Sequence, residues 1–427
     1  MPATLALSSP QLGIVLDNAP DGKPHRPGDT ITGHVLRTTV GVAPGATVTV
    51  TIHGRSKSKI QKSRGQSTSR YRTSFNCLSA PVDTQVLLSG APLHIPEGSA
   101  GESWPFAITI PPLVRDIRDN WQRKYFTAPG GALETPFPPP GTFSFRWESF
   151  MASEKCETFT EYYVQAKLEL LHQYKGRTTR ESHIATAPFP LRDVNPGPPI
   201  TDFNMTEHRR AHTVTTYRLV PGVTELSFSQ QTRQTLNSSK VPKLAFNVTL
   251  SLPRTLQVNN ENTIPIILAI TPNTRSSSEI IHDIPQQVTI KLLQISIKPR
   301  TFVQAERHDS SKSSPEVNLV PNSAVASLRQ QICIPVTPGA GAKSVTLDLG
   351  EILGIRMPQR GLHPDFITYN IAHKHEMLWK VTGHVAGEYF TLSSSQSVQI
   401  LPGPGEVDGD ELPGYSRGKD APPAYDG

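Results

Sequence analysis

Ala46-Thr-Val-Thr-Val-Thr-Ile-His-Gly54 decides the fold class. A strand repeats every two residues, so Val48, Val50 and Ile52 share one side while Thr47, Thr49 and Thr51 share the other. One face is buried and the other is wet. Upstream, His25-Arg-Pro-Gly-Asp-Thr-Ile-Thr-Gly33-His-Val35 launches a second alternating run from a Pro-Gly turn. Pro27 pre-sets the first central φ of a type II turn, and Gly28 supplies the positive φ needed next. Gly33, inside the run, marks a bulge or a close backbone approach.

The same pattern extends outward. Residues 11–17, 82–88, 104–110, 142–150 and 162–171 read as strands. Five prolines crowd residues 188–199, a domain boundary. Strand patterns resume at 213–220, 244–252, 263–271, 288–298, 344–349, 367–372, 376–385 and 397–401, with 307–315 as a polar loop. Helical spacing occurs at Val114, Ile117, Trp121 and Tyr125, a short cap or loop whose mixed charges do not suit lipid, and residues 129–141 read as an exposed loop. The expectation is an all-β protein with β-sandwiches at residues 10–190 and 200–401 and a disordered tail at 402–427.

Composition narrows the function. The chain has 40 prolines and 30 glycines in 427 residues, which favours turns over long helices. Cys77, Cys156 and Cys333 form no CxxC pair, so neither a disulfide framework nor a zinc site is suggested and a reducing compartment is expected. The first residues lack the basic and apolar regions of a secretory signal, and residues 264–270 are too short to span a bilayer. A soluble, cytoplasmic protein is expected. His373-Lys374-His375 would place two imidazoles on one strand face, but no third ligand is evident, and no metal or other cofactor is assigned. Gly339-Ala-Gly-Ala-Lys343-Ser344 lacks the glycine a P-loop needs before its lysine. No HExxH, GxSxG or ordered triad appears, so no catalytic residue is assigned.

Two charged or proline-rich stretches point to partners. No acid lies between Asp29 and Asp83, whereas Arg55, Lys57, Lys59, Lys62, Arg64, Arg70 and Arg72 fall within eighteen residues. Read as a flexible loop, that segment suits anionic lipid or an acidic cargo tail. Nucleic acid is not expected, because no recognised module surrounds it. Residues 402–427 carry a net −4 within a chain of net +6, leaving a basic body. The tail contains Pro422-Pro423-Ala424-Tyr425 and a near-copy, Leu412-Pro413-Gly414-Tyr415. Adjacent prolines hold a polyproline II path that fits between the aromatics of a WW-type groove, and the tyrosine reaches a second pocket. Pro422, Pro423 and Tyr425, with Leu412, Pro413 and Tyr415, are the candidate WW-domain contacts.

The residues 26–35, 48–54, 93–98 and 104–111 together resemble successive strands of an arrestin N-terminal domain, and 163–168 its later core strand. Residues 367–378 and 398–402 are similar to the closing strands of an arrestin C-terminal domain. With the Pro-Tyr tail, the chain resembles a fungal-type alpha-arrestin, an arrestin-related trafficking adaptor. That resemblance implies two arrestin-like β-sandwiches and a non-enzymatic bridge. Such an adaptor holds the cytosolic tail of a membrane transporter or receptor and recruits a WW-domain HECT-type ubiquitin ligase. The cargo is then ubiquitinated and internalised, with the adaptor recruited peripherally to the plasma membrane and endosomes. The charged polar core of phosphorylation-sensing arrestins is not located in this sequence. The alternatives are a retromer-like coat or sorting subunit, a signalling scaffold for pH or nutrients, and a carbohydrate-active β-sandwich enzyme.

Overall fold

The computed structural model describes residues 6–17, 24–78, 84–113, 139–149, 153–174, 177–193, 195, 197–236, 239–321, 323–328, 330–358 and 361–404. Strands make up 61% of it and helices 6%, in several sheets, so the protein is all-β. The expected helix or loop at 114–126 and the tail motifs lie outside the described residues.

The first half is built from two sheets. One is three-stranded, with β1 (Gly13–Leu16), β2 (Thr30–Arg37) and β6 (Glu102–Thr109) in the order β1-β2-β6. The other joins β3 (Gly41–Arg64), β4 (Ser67–Asn76), β5 (Thr84–Ile95), β7 (Phe143–Ser149), β8 (Glu154–Tyr174) and β9 (Arg177–Phe189). Its path is β4-β3-β8-β7, with β5 also on β3 and β9 also on β8. Val48, Val50 and Ile52 face inward as their alternation requires, joining Ile31, Val35, Phe106 and Leu168 in one core. The turn before β2 has Gly28 at φ 94, and Asp29 N donates to Arg26 O at 3.1 Å. Gly33 pairs with Leu16 without a bulge. A Cβ there would collide with Val15 O, so close approach is the reason for glycine.

The second half encloses its own core. A four-stranded sheet runs β10 (Met205–Thr215), β11 (Lys243–Pro253), β13 (Ile267–Pro272), β18 (Val345–Asp348). Opposite it is an eight-stranded sheet whose path is β12 (Thr255–Gln257), β21 (Glu388–Leu401), β20 (Ile371–Val385), β14 (Gln287–Ala305), β15 (His308–Ser313). Short β16 (Val317–Val320) and β17 (Ile332–Pro335) pair with β14, and β19 (Phe366–Ile367) pairs with β20. Leu244, Phe246, Leu250, Leu268, Ile295, Trp379 and Ile400 meet between the two sheets. Two short helices, α1 (Phe228–Thr235) and α2 (Leu349–Leu353), lie in connections.

Three sequence expectations are corrected. The basic segment from Arg55 to Arg72 is a hairpin of β3 and β4, not a loop. It closes at Gly65, whose φ of 58 suits the first central position of a tight hairpin turn. Polar residues 307–315 contain β15, paired with β14 from Arg300↔Ser313 to Ala305↔His308. The strand expected at 213–220 ends at Thr215, because Thr216 caps a 3₁₀ turn at Tyr217–Leu219 by accepting from Arg218 N.

Candidate functional site: a charged sheet face backed by a seam

Cross-strand partners share a face, so the register assigns every side chain of the β4-β3-β8-β7 extension. Ser56, Ser58 and Ile60 of β3 stand beside Thr160, Thr158 and Cys156 of β8, and beside Phe75, Thr73 and Tyr71 of β4. Phe143, Phe145 and Trp147 of β7 complete this inner face. Arg55, Lys57 and Lys59 stand on the outer face beside Glu161, Phe159 and Glu157, with Arg72 and Arg70 on β4 and Arg146 on β7.

The inner face is the seam with the second half. Ser56 Oγ donates to Asn370 Oδ1 at 2.5 Å, and Ser58 Oγ donates to Gln304 O. Ile60, Trp147 and Cys156 form a small shared core with Val303 and Ala305 of β14. At the hairpin edge, Tyr71 stacks on His308 with centroids 3.5 Å apart, and Phe75 lies 5.2 Å from Tyr369. Arg72 N donates to Glu306 Oε1 at 3.3 Å, and Glu306 N donates to Thr73 Oγ1 at 2.7 Å. Two of the serines that made this stretch read as a loop are buried here, Ser56 at 0% and Ser58 at 1% exposure.

The outer face is less basic than the sequence suggests. Glu161 accepts from Arg55 Nε and lies 3.9 Å from Lys57 Nζ. Glu157 pairs with Lys59 at 3.3 Å and Arg146 at 3.5 Å. Lys57 Nζ also sits 5.7 Å from the Phe159 ring centre, and Arg55 5.1 Å from that of Tyr163. Burial, then Arg55, lower the Lys57 pKa against the opposing pull of Glu161. Burial likewise lowers the His53 pKa, where the imidazole stacks 5.0 Å from Tyr163. The structure brings Arg55, Lys57, Lys59, Arg70 and Arg72 onto one face, of which Arg70 and Arg72 are exposed. Lys62 and Arg64 are on the opposite side by register, near the hairpin tip, and Arg64 is exposed. The acids of β8 were the missed partners, and the spacing of Glu157 and Glu161 on one strand face was their signal.

A cleft of about 500 Å³ lies along the β7–β8 pair, lined by residues 142–146 and 157–161. It combines Phe143, Phe145 and Phe159 with Arg146, Glu157 and Glu161. His373 and His375 do lie on one face of β20, both buried, and among the described residues no group of three or more His, Cys, Asp or Glu side chains could hold a metal ion. Pro422, Pro423, Tyr425, Leu412, Pro413 and Tyr415 are outside the described residues. Among the described residues no helix is long and apolar enough to cross a membrane. A scan against protein-family models and a search of curated proteins returned no match to this chain.

Proposed function

We propose that the protein is a non-enzymatic trafficking adaptor of the alpha-arrestin kind, linking membrane cargo to a WW-domain HECT-type ubiquitin ligase. The observation that carries this reading is Pro422-Pro423-Ala424-Tyr425 with its near-copy Leu412-Pro413-Gly414-Tyr415. The all-β body supports it, because two separately packed cores joined by a buried seam make a broad scaffold for protein contacts. Exposed Arg64, Arg70 and Arg72 are the contacts offered to an acidic cargo tail or an anionic membrane surface, since the other four bases are half-buried. The adaptor acts in the cytoplasm and is recruited peripherally to the plasma membrane and endosomes.

Calorimetric titration with single and tandem WW domains tests the reading. Tyr425→Ala is expected to remove most binding to a single domain, because the second pocket loses its occupant. Unchanged affinity would overturn the ligase-adaptor assignment.

A further inference from the structure

Phe143 crosses the seam from the edge strand β7 and is 4% exposed. Its ring centre lies 4.8 Å from Phe366, 5.2 Å from His373 and 5.5 Å from His363, all in the second half. The first half is thus plugged into a box walled by two imidazoles and a phenyl ring. His373 is 3% exposed, with Nδ1 2.9 Å from Thr301 Oγ1. His375 follows on the same face, its ring centre 4.8 Å from that of His373. His375 Nδ1 is 2.5 Å from Asp365 Oδ1, while its buried Nε2 has no hydrogen-bond partner. His363 stands at the exposed mouth, 6.3 Å from His373.

The groups facing His373 offer a proton little compensation. Phe143 from β7, Thr301 from β14 and Phe366 from β19 are uncharged, and Lys374 points to the opposite face of β20. His363 and His375 are the titratable neighbours, and Asp365 is engaged by His375. Burial above all, then His375 and His363, push the His373 pKa from 6.5 down to about 3. Contact with the surrounding aromatic faces does not make up for that loss of water.

We propose that His373 is a proton-operated latch: taking up a proton drives Phe143 out of its box and parts the two halves at this point of the seam. The sign follows from linkage. The closed imidazole titrates near 3 and a released one near 6.5, so closure is fully favoured above 6.5 and loses that advantage as pH falls toward 3. Between pH 7.5 and 5.5 the opening equilibrium should rise about tenfold for this one imidazole.

Hydrogen exchange of the full chain at both pH values, corrected for intrinsic rates, reads this directly. Amides of β7, β19 and residues 301–305 should exchange about tenfold faster at pH 5.5, while those of β11 and residues 162–168 keep their protection. His373→Phe keeps a ring in the box and removes this proton site, so most of the pH response should disappear, leaving only what His363 at the mouth supplies. Should that variant fail to fold, His373→Gln makes the same test, and Phe143→Ala should expose the seam amides at both pH values. Equal seam protection at pH 7.5 and 5.5 in the wild type overturns the proposal. So does a response undiminished in the His373 variants, or one shared by the core amides.

Discussion

Replacing Glu161 by glutamine keeps its volume but removes the carboxylate faced by both Arg55 and Lys57. Two effects of opposite sign follow. A net hydrogen bond to a charged group contributes about 1.5–3 kcal/mol to stability. Arg55 is 24% and Lys57 15% exposed at the side chain, so water recovers part of that loss. The expected destabilisation is about 1–2 kcal/mol. Meanwhile the outer face gains one unit of net positive charge beside Arg55 and Lys57. At about 1 kcal/mol per unit of charge near an anionic surface, affinity for anionic vesicles should rise about 5-fold. Urea unfolding gives the first quantity, and flotation on neutral and anionic vesicles at two salt concentrations gives the second. The gain should shrink at high salt, because the Debye length shortens. Lower stability with unchanged vesicle binding would refute the assignment of this face to anionic surfaces. Unchanged stability would refute the energetic role of the ion pair.

Gly33→Ala drives a Cβ into Val15 O and within 2.9 Å of Phe106 Cζ, so it should destabilise by about 1–3 kcal/mol in thermal unfolding. Ile60→Ala, at a fully buried position between the halves, should cost about 2–5 kcal/mol and loosen exchange at Val303 and Ala305 before the main cores. Tyr415→Ala should weaken binding to a tandem pair of WW domains far more than to a single one in calorimetry, since the near-copy acts through effective concentration.

The body of each half was legible in the sequence where strands carry one apolar face. Val48, Val50 and Ile52 announce a core, and Gly28 and Gly33 announce a turn and a close approach. The seam was illegible for the same reason. Arg55-Ser-Lys-Ser-Lys-Ile60 also alternates, but between cations and small hydroxyls, and hydropathy has no contrast to detect there. Those hydroxyls are buried because Asn370 and Gln304, more than 240 residues downstream, accept from them. Likewise, the acid-free run read as unpaired because its partners belong to another strand. His373 and His375 were seen to share a face, yet their role at the Phe143 box depended on tertiary contacts.

The β3–β8 ladder also shapes how the chain is made. Arg55 and Glu161 meet across 106 residues, so during synthesis at about 5–20 residues per second β8 arrives roughly 5–20 s after β3. Until then β5 and β4 can cover one edge of β3, but the edge that will receive β8 stays open. Thr47 to Ile52 is an uncharged, β-branched run of the kind that pairs with other nascent chains. Arg55, Lys57, Lys59 and Lys62 follow it immediately and repel a second copy aligned on that edge. Cations later half-buried in the finished sheet thus serve first as guards of an unfinished one.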